Sequence, residues 1–192
     1  MLILVRHGRT AANAQGLLQG RLDQELDELG RQQAVAVAER VTGEFDIDLL
    51  VSSPLKRALQ TAEAFGRPYE VDERWIELAY GEFEGVPHAD VPSEVWQRWF
   101  HDFDYVPPGG EALSALDRRV RRACDDLVDR AATGNVVVVS HVSPMKSAVA
   151  WALGVDIGIS WNCHLDHASI CRVQFRGRHA VLRTFNETVR VG

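Results

Sequence analysis

Three apolar runs in this chain end on residues that could handle an anion. Leu2-Ile3-Leu4-Val5 stops on Arg6-His7-Gly8. Ile47-Asp48-Leu49-Leu50-Val51 runs into Ser52-Ser53-Pro54 and then Leu55-Lys56-Arg57. Val136-Val137-Val138-Val139 runs into Ser140-His141, followed by Ser143-Pro144. An arginine guanidinium is planar, permanently charged and suited to phosphate oxygens through paired hydrogen bonds. A histidine can act as nucleophile or proton carrier near neutral pH. Each segment alone would pass for a charged surface turn. Together, Arg6, His7, Arg57 and His141 make an anion site that offers its ligand a nucleophile.

The elements that must position these residues are legible too. Short apolar runs bounded by turn signals read as buried strands of a parallel sheet. Ligands of open α/β sheets sit beyond the carboxyl ends of such strands. Ser53 is predicted as an N-cap and Pro54 as the first residue of a helix to Phe65, with Arg57 in its first turn. A second Ser-Pro pair opens a helix after His141, and helix N-termini add backbone N–H groups at the same edge. Leu29, Ala34, Val37, Ala38 and Val41 predict a helix over 27–41. The stretch 111–132 reads as another, stopped by Thr133-Gly134-Asn135. Strands are expected over 168–175 and 180–185, joined by a turn at Arg176-Gly177-Arg178. The alternation predicts an α/β fold, a three-layer α/β/α sandwich around a mostly parallel sheet, in a single domain spanning 1–192.

The stretch 88–110 breaks the pattern with Trp96, Trp99, Phe100, Phe103, Tyr105 and several prolines. It is expected to be a lid-like insertion over one edge. Val95, Trp99 and Phe103 repeat every four residues and predict its packing face. Trp96 and Phe100 would then turn toward the organic part of a ligand.

Composition narrows the function classes. The 192 residues are 46% hydrophobic and 25% charged, an ordinary globular balance. The formal net charge of −6 makes any cationic site local, and argues against a nucleic-acid partner. Cys124, Cys163 and Cys171 lack CxxC spacing and read as free thiols in a reducing compartment. Met1 leads straight into the first strand and no apolar run approaches about 20 residues, so no membrane association and a cytoplasmic location are expected. Cys163-His164-x-x-His167 lacks a full ligand set, so no metal site is expected. Ser140 beside His141 has no GxSxG elbow and is not read as a serine-hydrolase nucleophile.

Arg6-His7-Gly8-Arg9-Thr10-Ala11-Ala12-Asn13 resembles the RHGxTxxN signature of the histidine phosphatase superfamily, the phosphoglycerate mutase-like family. Gln19-Gly20-Arg21 is similar to its substrate loop, and the stretch from Ser52 to Ala62 to its second arginine motif. Glu77 with Gly81, Glu84 and Gly85 resembles its acid motif; Gly109-Gly110-Glu111 and Ser140-His141 resemble the last two. The resemblance covers the whole chain. It implies that His7 is the nucleophile and passes through a phosphohistidine. It implies that Arg6, Arg57 and His141 surround the transferred group, aided by Asn13, Gln19, Gly20 and Val142, and that Glu77 protonates the leaving oxygen and then helps water attack. No cofactor or metal is implied. The expected partner is a small-molecule phosphate ester, with a homodimer left open. His141-Val142-Ser143-Pro144-Met145-Lys146 resembles the α-ribazole phosphatase-like branch rather than members with two glycines after the second histidine. Ala112 replaces a serine common after the Gly-Gly-Glu motif, which bears on helix capping. A cofactor-dependent phosphoglycerate mutase shares the phosphohistidine but tends to be longer, with added segments closing the site, so hydrolysis is favoured. A non-catalytic phospho-ligand binder would have no use for a nucleophile plus an acid.

Overall fold

A computed structural model describes residues 1–191. Strands β1 (Leu2–Arg6), β2 (Leu49–Ser52), β3 (Glu70–Val71), β4 (Val136–Ser140), β5 (Ile170–Arg176) and β6 (His179–Glu187) form one sheet. Their order is β3-β2-β4-β1-β5-β6. The first four run parallel, and β5 and β6 complete the sheet as an antiparallel hairpin.

Every residue of β1 and β4 is buried, as strands covered on both faces must be. Alternation along the strands divides the interior. Leu2, Leu4, Val136 and Val138 face a core shared with helices α5 (Leu113–Thr133) and α6 (Val142–Leu153). Ile3, Val5, Val137 and Val139 face a second core shared with α2 (Glu28–Thr42) and α3 (Lys56–Glu63). The sheet is thus the middle layer of the three-layer sandwich that the sequence predicts.

Asp27 caps α2 by accepting from the Gly30 N–H at 2.7 Å. The prediction for α3 needs correction. Pro54 lies outside it, the helix begins at Lys56, and its N-cap is Leu55 with no side-chain cap bond. Ser53 is engaged elsewhere, since its hydroxyl lies 2.6 Å from His141 Nε2. Arg57 nonetheless falls in the first turn. For α6 the N-cap is His141, so Ser143 and Pro144 sit within the first turn. Helix α5 starts at Leu113, and Ala112 at its N-cap has no side-chain oxygen to offer.

Two close approaches shape the edge beyond β1. A Cβ on Gly8 would stand 2.2 Å from the Gly30 carbonyl oxygen, and one on Gly30 would stand 1.9 Å from that of Arg9. The backbone leaving β1 therefore lies directly on α2, a contact only glycine permits at either position.

Within 88–110 runs a helix α4 (Ser93–His101). Trp99 is only 2% exposed and joins Leu18 and Val91 in a small separate core, with Tyr80, Phe83 and Val95 packed around it. Phe103 falls beyond the end of α4, so the predicted packing face is shorter than its spacing suggests.

Candidate active site

Arg6 ends β1, His7 follows it, Arg57 comes from the first turn of α3, and His141 stands between β4 and α6. All four are buried at the carboxyl ends of parallel strands. A cavity of about 140 Å³ opens there, lined by Arg6, His7, Asn13, Gln19, Gly20, Arg57, Glu77 and Val142 among others. His141 does not line it; it lies behind, against Arg57.

Arg57 organises the centre. Its Nε–H faces both His7 Nε2, at 3.2 Å, and His141 Nδ1, at 3.1 Å. Its Nη1 and Nη2 donate to the carbonyls of Leu22 (2.9 Å) and Gly20 (2.7 Å). These bonds assign the tautomers. His7 Nδ1 lies 2.6 Å from the Gly8 carbonyl, which can only accept, so Nδ1 carries the proton and Nε2 the lone pair. His141 accepts at Nδ1 and donates from Nε2 to the Ser53 hydroxyl. Burial, then the charges of Arg57 and Arg6, hold His7 well below the usual histidine range. Burial, then Arg57 and His7, do the same for His141. Burial also pulls Arg6 and Arg57 down, each to about 10, while Glu77 opposes the shift. Both guanidiniums therefore stay charged at neutral pH beside two neutral imidazoles.

Donors are left over. Arg6 Nη1 donates to the Leu165 carbonyl at 2.6 Å, but Arg6 Nε is buried with no partner. Thr10 caps the short helix α1 (Ala11–Ala14), with Asn13 completing a capping box. Gln19 Oε1 accepts from Thr10 Oγ1 (3.0 Å) and Asn13 Nδ2 (3.2 Å), which leaves Gln19 Nε2 also buried without a partner. Buried donors of this kind are costly unless something fills the site.

Glu77 places a carboxyl group on the cavity wall. Its Oε1 accepts from Leu78 N at 2.7 Å and from Ser143 N, in the first turn of α6, at 3.3 Å. Its backbone carbonyl receives Arg21 Nε (3.0 Å) and Arg119 Nη2 (3.3 Å). Glu111 grips both of those arginines, each at 2.9 Å. The loop carrying the carboxyl group is thereby held from both sides.

The sequence misses several members. Leu17, Leu18, Tyr80 and His88 also line the cavity. Tyr80 lies inside the acid motif, so its nearness to Glu77 was the available signal. Trp96 and Phe100 are not on the cavity. Trp96 packs edge-on against His88 and Trp99, and Phe100, 43% exposed, lies 4.4 Å ring to ring from Trp161. The turn of α4 that carries Trp99 into its core sends the Trp96 ring along the insertion and the Phe100 ring toward the 157–162 segment, away from the cavity. His164 sits on the surface beside Asp166 at 3.2 Å, and no cluster of metal-ligating side chains occurs among the described residues.

The chain is similar in sequence and fold to known proteins. A bifunctional protein of Mycobacterium tuberculosis is 35% identical over 97% of this chain. The chain spans 54%, about half, of that relative's length. Phosphoserine phosphatase 1 of Hydrogenobacter thermophilus is 35% identical, covering 100% of this chain and 94% of its own. Among solved structures, mycobacterial glucosyl-3-phosphoglycerate phosphatase in complex with VO3 superposes with a TM-score of 0.87 at 31% identity, covering 97% of this chain and 98% of its own. Residues 2–188 match the histidine phosphatase superfamily (branch 1), and the chain belongs to that family.

Proposed function

We propose that this member of the histidine phosphatase superfamily hydrolyses a small phosphate monoester through a phosphohistidine on His7, as a single domain and without a metal. The observation that carries the reading is the Arg57 Nε–H shared by the two histidines, set beside the unpartnered donors Arg6 Nε and Gln19 Nε2. The first marks His7 Nε2 as the nitrogen that bears the lone pair, free to attack when an incoming phosphoryl oxygen takes over the Arg57 N–H, and the others await anionic oxygens.

His7 Nε2 attacks phosphorus as the ester P–O bond breaks, and the Glu77 carboxyl proton passes to the leaving oxygen. Arg6, Arg57 and Gln19 meet the charge that spreads over the equatorial oxygens, with little reorganisation. The Glu77 carboxylate then takes a proton from water as it attacks the phosphohistidine, which releases phosphate and restores His7. Two fixed guanidiniums supply the charge that a divalent metal would otherwise supply. The phosphoserine phosphatase relative and the VO3-bound neighbour support a phosphoryl group as the ligand. The segment 88–110 contributes His88 to the wall, which fits a partial lid. Three unbridged cysteines fit a cytoplasmic location, and no helix among the described residues is long and apolar enough to cross a membrane.

The test is rapid-quench labelling with a ³²P-labelled aryl phosphate in excess chelator. The wild type should give an acid-labile phosphoprotein, and His7→Ala neither label nor turnover. Undiminished turnover by His7→Ala would refute the assignment.

A further inference from the structure

The two peptide units that follow His7 are each fastened at both ends. In the His7–Gly8 unit, the carbonyl accepts from Ala168 N at 3.1 Å and the N–H donates to Thr61 Oγ1 at 3.1 Å. In the Gly8–Arg9 unit, the carbonyl lies 2.6 Å from His7 Nδ1 and the N–H donates to Gln33 Oε1 at 2.9 Å. A trans peptide is planar, and its C=O and N–H point to opposite sides. Whatever grips the Arg9 N–H therefore sets where the Gly8 carbonyl points. That grip comes from a side chain that does not line the cavity.

Helix α2 is shaped for this contact. Asp27 at its N-cap, Gly30 and Gln33 follow at three-residue intervals and share one face. All three meet Arg9. Asp27 N donates to the Arg9 carbonyl at 3.0 Å, and the Asp27 carboxylate accepts from Arg9 Nε at 2.7 Å. Gly30 packs on the Arg9 backbone, and Gln33 receives its N–H. Because the donor is a backbone N–H, the Gln33 amide must present its oxygen.

The orientation of that peptide bears on the nucleophile. Burial and two guanidiniums keep the His7 ring neutral. A neutral imidazole has one proton and two places for it, and only the Nδ1–H form leaves Nε2 a lone pair. Two groups favour that form, the Gly8 carbonyl at Nδ1 and the Arg57 Nε–H at Nε2. A bound phosphoryl group takes over the Arg57 N–H, and the Gly8 carbonyl is then left to hold the tautomer. As the Nε2–P bond forms and the ester P–O bond breaks, positive charge spreads to Nδ1–H. Its hydrogen bond to Gly8 strengthens in the transition state, and interactions that do so raise kcat.

Resting on the function proposed above, we propose that Gln33 is a positioning residue for phosphoryl transfer, holding the Gly8–Arg9 peptide so that the Gly8 carbonyl keeps the His7 proton on Nδ1. Gln33 touches no substrate and moves no proton. Its effect falls on the rate of His7 phosphorylation and not on phosphate binding.

Gln33→Met keeps the length and helix propensity but offers no comparable acceptor, whereas Gln33→Glu keeps an acceptor oxygen. With 4-nitrophenyl phosphate, phosphoenzyme formation by Gln33→Met should slow about tenfold, the scale of one charge-assisted hydrogen bond. Gln33→Glu should stay within about threefold of the wild type, and inhibition by inorganic phosphate should move by less than about twofold in both. With inorganic phosphate bound, ¹⁵N NMR of the His7 ring should show the Nδ1–H tautomer alone in the wild type and Gln33→Glu. Gln33→Met should add a share of Nε2–H. Phosphorylation by Gln33→Met at the wild-type rate overturns the role. So does an equal loss in both variants, or a loss with the tautomer unchanged, since either marks lost packing alone. Should Gln33→Met fold poorly, the wild-type spectrum still decides, because an Nε2–H ring beside bound phosphate overturns the proposal. All of these results leave the phosphatase reading standing as long as wild-type His7 takes the label. Hydrolysis by the wild type with no label on His7 refutes that reading, and the positioning role falls with it.

Discussion

Replacing Glu77 by glutamine separates proton donation from structure unusually well. Glu77 Oε1 accepts both backbone bonds, from Leu78 and Ser143. A glutamine can keep both through its carbonyl oxygen and turn its amide nitrogen to the position of Oε2. Folding stability should therefore change by less than about 1 kcal/mol, the scale of one ordinary hydrogen bond. Chemistry is another matter, because an amide has no proton to give at neutral pH. General acid catalysis is worth about 10²- to 10⁴-fold, or about 3–5 kcal/mol of barrier. That loss should appear in full for an alkyl phosphate, whose alkoxide departs badly. It should shrink to about tenfold or less for an aryl phosphate with an acidic phenol, which needs little help. The assay is kcat/KM for Glu77→Gln against a series of esters graded by leaving-group pKa, with thermal melts alongside. A slope that steepens from wild type to variant supports the assignment. A uniform loss across the series would refute it and move attention to Glu82 or Glu84.

Gly20 has φ +51°, and a Cβ there would stand 2.3 Å from Glu84 Oε1, which holds Arg21 N and Tyr80 N. Gly20→Ala should shift the carbonyl that receives Arg57 and weaken vanadate inhibition about tenfold, for a strain of about 1–3 kcal/mol. Ala112→Ser should supply the missing cap on α5, stabilising the fold by about 1 kcal/mol and raising Tm by about 2–4 °C in a melting curve. The histidines set the acid limit of stability. His7 and His141 are held low by burial, and burial pushes His167 down to about 4, so below pH 6.5 the unfolded chain binds protons that the folded one refuses. Stability should fall as pH drops through that point, and His167→Gln should flatten the part between about 6.5 and 4 in denaturant midpoints measured at several pH values.

What the chain's one-dimensional pattern reveals is whatever depends on neighbours in sequence. Four-residue apolar runs ending on polar residues mark β1 and β4, and so place Arg6, His7 and His141 at one edge without further information. Ser53 shows the limit. Its position before a proline reads as a cap, yet its hydroxyl bonds His141, 88 residues away, and α3 begins only at Lys56. The clamp of Glu111 on Arg21 and Arg119 is equally long-range, joining residues up to 90 positions apart. Trp96 was misplaced for a related reason. Helical spacing names the residues that share a face, but only packing against Tyr80 and Phe83 decides where that face turns.

The contact between Gly8 and Gly30 bears on engineering. Gly30 sits in the first turn of α2, where helix propensity alone recommends alanine by about 1 kcal/mol. A designer seeking thermostability would choose that exchange early. Here it would push a methyl group into the Arg9 carbonyl and lever the loop that carries His7 off its support. A saturation library at positions 8 and 30 should return almost nothing but glycine under selection for activity. The two sites lie 22 residues apart, so what looks like two independent intolerances has one origin, the packing of the 8–9 backbone on the first turn of α2. The gap between folded yield and activity among any Gly30 survivors would measure how far the loop can drift before the chemistry stops.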